Sequence, residues 1–269
     1  MIYTRLTVKD SVEFEGLGLH GGEPVRVLVH PGEDGIAFRT ASGRWAAVAE
    51  NVTDTTRCTR LGEVSTIEHL MSALAGLEVT DAEVEVRGGE MPAMDGSSQG
   101  FAEGIHSVGL APVGEAEVRT PFKRVFLQED GIKIAVGKGE GHWQYTYDLG
   151  ERWPGQQTFE SFNVALEYRK AIAPARTFAL AEEIPAILQL GLAKGLDQDT
   201  ALILGIEGYK NDPRFEDEPA RHKLLDLIGD LYLTGIPIRF LNVSAERSGH
   251  ASNVRAAALV RQSLASGAE

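Results

Sequence analysis

A single cysteine, Cys58, in 269 residues leaves no partner for an internal disulfide and rules out a zinc knuckle built on thiolates. Metal ligands, if any, must be His, Asp or Glu, and a reducing compartment suits such a chain. Positive charge is also scarce: 26 Lys and Arg stand against 39 Asp and Glu, a formal net charge of −13. Nonspecific affinity for nucleic acid comes mainly from cations that neutralise phosphates, so a nucleic-acid partner is not expected. No run approaches the ~20 apolar residues of a membrane span, and the opening Met1-Ile2-Tyr3-Thr4-Arg5-Leu6-Thr7-Val8 lacks the apolar core of a signal peptide. The expectation is a cytoplasmic protein, monomeric, with no stable membrane insertion. A hydrophobic fraction of 43% is ample for a buried core in one large domain or two ordinary ones.

Short alternating runs dominate the first part of the chain. Val25-Arg26-Val27-Leu28-Val29 and Ile36-Ala37-Phe38-Arg39, separated by Pro31-Gly32-Glu33-Asp34-Gly35, read as antiparallel strands. Residues 82–87 alternate cleanly, and a helix is expected from about Gly100 to Val108. Asp95-Gly96-Ser97-Ser98 before it reads as a turn and cap without a catalytic part. Residues 111–117 read as a linker, after which strands resume at 124–127, 132–136 and 142–148. Two apolar helices are followed by the same order of features: His69, Gly76 and strand 82–87, then His222, Gly235 and strand 236–240. That order predicts two domains of one fold, 1–117 and 118–269, each giving a histidine from a helix near their boundary.

The chemistry concentrates on those helices. In Arg221-His222-Lys223-Leu224-Leu225-Asp226-Leu227-Ile228-Gly229-Asp230, the residues His222, Asp226 and Asp230 recur every four positions and share one helix face. An imidazole and a carboxylate at i and i+4 can hold one metal ion, although such a pair alone is more often an exposed polar pair. A catalytic zinc usually takes a third protein ligand and keeps a position for water. His69 is the best candidate, in a helix that Ser65 or Thr66 could cap. Its neighbour Glu68 is the carboxylate a metallohydrolase needs as general base. His250 stands at a loop-to-helix junction, well placed for a general acid. Fe(II) also suits a site of two histidines and one carboxylate. Leu180, Ile184, Ile187, Leu188, Leu190 and Leu192 read as core. Gly16-Leu17-Gly18-Leu19-His20-Gly21-Gly22 permits a tight loop but is no phosphate-binding fingerprint.

Taken together, several segments resemble the zinc-dependent UDP-3-O-acyl-N-acetylglucosamine deacetylases of lipid A synthesis. They are Gly16-Leu17-Gly18-Leu19-His20, Asp54-Thr55, Cys58-Thr59, Ser65-Thr66-Ile67-Glu68-His69-Leu70, Met94-Asp95-Gly96-Ser97, Ala175-Arg176-Thr177-Phe178, Arg214-Phe215-Glu216-Asp217-Glu218, His222-Lys223-Leu224-Leu225-Asp226 and Ser248-Gly249-His250-Ala251. Any one is weak, but in this order and at these separations they are specific. The resemblance implies zinc on His69, His222 and Asp226, and Glu68 as the base. It implies Thr177 and His250 at the oxyanion, His250 also as acid toward the leaving amine, and Asp230 orienting His250. Lys223, Phe178 and Lys133 would contact the sugar and phosphates of a UDP-sugar carrying an acyl chain.

The implied fold is α+β: two similar domains, each a small mostly antiparallel sheet layered with helices, with the helices packed between the two sheets, like the ribosomal S5 domain 2 fold. An insert at about 179–212 would wall a passage for the acyl chain, which reverses the core reading of its leucines. The chain departs from the family pattern at Leu149, at Trp153-Pro154 and at Gly195-Leu196-Asp197, where a Gly-Gly-Ser turn is usual. These positions concern acyl and uridine contacts. A deacetylase of another amino sugar, or a catalytically silent nucleotide-sugar binding protein, are the alternatives; the complete set of reactive residues speaks against the second.

Overall fold

The computed structural model describes residues 1–121, 123–197 and 199–266. Its frame is a duplicated sheet. The first runs, in spatial order, Val12–Leu17, Pro24–Pro31, Ala82–Arg87, Ile36–Arg39 and Arg44–Ala46. The second runs Val125–Glu129, Ile132–Lys138, Leu241–Glu246, Trp143–Asp148 and Gln156–Ser161. In each, the last strand in the chain takes the central place, antiparallel to one neighbour and parallel to the other. Alternation decides which face is buried: Val25, Val27 and Val29 face inward in one sheet, and Leu241, Val243 and Ala245 in the other.

Between the sheets lie the helices Glu68–Gly76, Gln99–Val108, Glu218–Leu231 and His250–Ser266. Every one of the nine residues of Glu68–Gly76 is buried, as a helix enclosed on all sides requires. It packs on Glu218–Leu231, and one apolar core runs from Val27, Phe38 and Val84 through Leu70, Leu74, Leu224 and Ile228 to Val136, Trp143 and Val243. The mixed α+β architecture expected from the resemblance is the one observed.

Several local expectations need correction. Residues 111–117 are not a linker: Leu110–Glu117 is a strand antiparallel to Ile2–Val8. Proline argued against a strand, yet Pro112 sits at a register shift opposite Leu6 in an isolated two-stranded sheet, where a missing N–H is tolerated. Residues 236–240 are not a strand either. Pro237 leads into a 3-10 turn, Ile238–Phe240, and the strand begins at Leu241. Neither Ser65 nor Thr66 caps the Glu68 helix. Thr66 has a positive φ, and its hydroxyl is committed to Glu90 at 3.1 Å. Pro185 lies in the first turn of the short helix Ile184–Gln189, where its missing N–H has no partner to lose. Residues 171–178 run from a helical turn into the short strand Phe178–Leu180.

Candidate metal centre and active site

The Glu68 and His222 helices cross at Gly229, where any side chain would collide with the Glu68 carbonyl. Glycine lets the backbones close up, and His69 is thereby brought beside His222 and Asp226. The His69 and His222 rings stand edge to face with centroids 5.1 Å apart. Their Nε2 atoms lie 3.6 and 3.4 Å from the same oxygen, Asp226 Oδ1. One ligand atom from each of the three residues falls within 4.8 Å of the others.

That oxygen is buried and has no hydrogen-bond partner, an expensive state for a carboxylate. A cation between Oδ1 and the two imidazoles removes the deficit, so the residues fit the metal that the sequence implies. The tautomer fits too. His222 Nδ1 donates to the Ala175 carbonyl at 3.0 Å, which leaves Nε2 with its lone pair toward the centre. Burial drives the His222 pKa down to about 3, so the ring stays neutral as a ligand must. Burial alone would raise the Asp226 carboxyl, but the cation beside it, the Lys223 ammonium 2.8 Å from Oδ2, holds it well below the carboxylate range.

Glu68 and His250 flank this group. Glu68 Oε2 accepts from the Thr59 backbone N–H at 3.0 Å, and Oε1 faces His250 Nε2 at 3.8 Å. Burial raises the Glu68 pKa. His250 Nδ1 lies 3.0 Å from Asp230 Oδ2, a carboxylate oxygen that can only accept, so Nδ1 carries the proton. Burial would lower the His250 pKa, but Asp230 and Glu68 outweigh it and raise it to about 9.

These groups open into a cleft of about 220 Å³. Thr177, Phe178 and Lys223 line it, with the Lys223 ammonium 5.4 Å from the Phe178 ring centre. Thr177 is placed by its N–H, which donates to the Gly96 carbonyl at 2.7 Å. The Asp95–Ser98 turn thus supports the site, and Ser98 Oγ also donates to the His69 carbonyl at 2.6 Å. Larger hollows, of about 840 and 630 Å³, lie beyond Trp153 and hold none of the reactive groups.

Lys133 is not brought to the cleft. Strand alternation buries Ile134 and Val136 and turns Lys133 to the exposed face, where it pairs with Glu246 at 2.8 Å. Of the aliphatic residues in the expected insert, Ile187, Leu192 and Leu196 line the cleft while Leu188 and Leu190 are exposed. His20 was absent from the expected site set but lines the cleft. The glycine-rich loop that carries it was its only sequence signal, and the insert packs on that loop through Gly195 N–H to the Leu19 carbonyl, 3.1 Å.

The wall bearing Ala175 and Thr177 is anchored by a buried ion pair. Arg176 Nε meets Glu218 Oε1 at 3.0 Å, and Glu218 also accepts the backbone N–H groups of Arg176 and Arg214. Removing one partner strands the other charge away from water. Arg176→Met is therefore expected to lower the unfolding free energy by ~3–5 kcal/mol, measured by urea denaturation.

Two imidazoles and a carboxylate sharing a focus, with a second carboxylate and a protonated histidine beside it, define a hydrolase with a candidate metal centre. Comparison with known proteins agrees. A family model described as UDP-3-O-acyl N-acetylglycosamine deacetylase matches residues 5–262, and the chain belongs to that family. Relatives named UDP-3-O-acyl-N-acetylglucosamine deacetylase include one from Leptospira biflexa, 34% identical over 93% of this chain and 87% of its own. Others come from Aquifex aeolicus, 35% identical over 93% and 90%, and Trichormus variabilis, 33% identical over 85% and 88%.

Proposed function

We propose that this chain is a zinc-dependent deacetylase that hydrolyses the N-acetyl amide of UDP-3-O-acyl-N-acetylglucosamine, giving acetate and the free amine for lipid A synthesis. The observation that carries the reading is the orphaned Asp226 Oδ1 facing two imidazole nitrogens inside a cleft that also holds Glu68 and His250. His69 Nε2, His222 Nε2 and Asp226 Oδ1 would hold the ion. When bound, it supplies an acidified water and charge stabilisation for the amide oxygen.

The chain's own residues do the rest. Glu68 accepts a proton from the attacking water as the new C–O bond forms. His250 Nε2, its Nδ1–H fixed by Asp230, gives a proton to the amide nitrogen as the C–N bond breaks. The Thr177 hydroxyl and the His250 cation face the oxygen on which negative charge develops. Lys223 and Phe178 offer a cation and a ring to the phosphates and sugar, and Ile187, Leu192 and Leu196 an apolar wall to the acyl chain. Lys133 is left out because it lies on the other face of its sheet.

Zinc is taken as the ion, although Fe(II) suits the same ligand set, and the functional units are taken as 1–117 and 118–269 with 179–212 inserted in the second. We take the enzyme to act in the cytoplasm as a monomer, and among the described residues no helix is long and apolar enough to cross a membrane.

Acetate release from the acylated UDP-sugar tests the activity. The ion is tested separately: one divalent metal per chain is expected by elemental analysis, and His222→Ala should lose it. A His222→Ala protein with undiminished metal content rejects the ligand set.

A further inference from the structure

Thr59 has no place in the mechanism above, yet it touches both of its halves. It stands just before the short strand Arg60–Leu61, wholly buried. Its carbonyl accepts the N–H of Ile67, the residue that opens the Glu68 helix, at 3.2 Å. Its own N–H donates to Glu68 Oε2 at 3.0 Å. The backbone of Thr59 is thus fixed against the base from two sides. Its side chain then crosses to the His222 helix, where Oγ1 lies 2.5 Å from Asp230 Oδ1.

The direction of that last bond follows from chemistry. Asp230 is an acceptor only, so the hydroxyl hydrogen points to it. Asp230 Oδ2 is taken by His250 Nδ1 and by Asn253 Nδ2, each at 3.0 Å. With Oδ1 held by Thr59, the carboxylate plane has no freedom to turn, and it presents one oxygen to the imidazole. The Thr59 hydroxyl also lies 3.4 Å from His250 Nδ1. A bond from a hydroxyl to a buried carboxylate is among the stronger kinds, and its loss leaves Oδ1 without a donor.

We propose that Thr59 is a positioning residue that sets the geometry between base and acid, its N–H aiming Glu68 and its hydroxyl locking the Asp230–His250 pair. It touches no reacting atom. The inference rests on the proposed roles of Glu68 and His250, and it adds that their spacing is set by one residue bonded to Glu68 and to Asp230, the partner of His250.

The test uses the zinc-loaded enzyme with Thr59→Val, which keeps the backbone donor and the shape but removes the hydroxyl, and Thr59→Ser, which keeps the hydroxyl. Thr59→Val is expected to lower kcat about tenfold to hundredfold, with KM changed less than about threefold. Thr59→Ser should stay within about threefold of the parent in kcat. The low-field Nδ1–H proton of His250, recognised by its loss in His250→Gln, should move in Thr59→Val and hold its position in Thr59→Ser. Unchanged kcat and an unmoved resonance in Thr59→Val overturn the proposal. Equal losses in both variants with a fall in Tm also overturn it, since Thr59 would then only be packing. If the parent enzyme releases no acetate, the proposed function fails and the proton resonance alone decides whether Thr59 sets the Asp230–His250 bond.

Discussion

Glu68→Ala is expected to keep its metal and lose activity by ~10²–10⁴, the range for removing a general base or acid. The geometry separates it from the ligands. The His69, His222 and Asp226 atoms converge on one point, whereas Glu68 Oε2 is turned back to the Thr59 N–H and Oε1 faces His250. Loss of metal in Glu68→Ala would make Glu68 a ligand and defeat the assignment. His250→Ala should likewise keep metal and fall by a similar factor.

Together the two residues fix a bell-shaped pH dependence of kcat/KM. Glu68 must be ionised to accept a proton, so activity is lost as pH falls through its pKa, which burial raises above the usual range. His250 must be protonated to donate, so activity is lost as pH rises through about 9. His250→Ala should flatten the alkaline limb and leave the acidic one. An unaltered alkaline limb in that variant would take the role of acid away from His250.

The sequence exposed the site more fully than it exposed the fold around it. Periodicity alone places His222, Asp226 and Asp230 on one face, because a helix repeats locally, and the structure turns them to His69 and His250 as that face requires. What periodicity does not carry is the contact between helices, which turns on Gly229, a residue with no chemistry to notice. The strand Leu110–Glu117 was hidden because its partner, Ile2–Val8, is more than a hundred residues away. A strand with proline and glycine in it looks like a linker until that partner is known. Lys133 shows the reverse limit. A cation carried over by resemblance has the right charge, but one step of strand alternation decides the face, and here it faces solvent. Thr59 was visible only as part of a motif, since a hydroxyl that bonds across two halves has no signature of spacing.

The acyl chain carries the other large effect. Ile187, Leu192, Leu196 and Ala201 from the inserted segment and Leu19 from the glycine-rich loop give the cleft an apolar lining. Each methylene buried there is worth ~0.8 kcal/mol, so four would contribute roughly 3 kcal/mol, over a hundredfold in kcat/KM. The 3-O-acylated substrate should therefore be strongly preferred to UDP-N-acetylglucosamine. Chain length is a separate matter. Leu196 stands where the family usually has a small turn residue, it lines the cleft, and the turn bearing it is held to the glycine-rich loop by the bond from Gly195 to Leu19. A branched side chain at a fixed wall takes up space that a longer acyl chain would need, so the optimum should lie at a shorter chain than is common in the family. Leu196→Gly should move that optimum to longer chains. Measuring kcat/KM over a series of 3-O-acyl lengths, for the parent and for Leu196→Gly, separates the two claims. A flat series removes the apolar wall from substrate recognition and favours a deacetylase of a different amino sugar. A parent optimum already at the longest chains keeps the wall and rejects only the narrowing by Leu196.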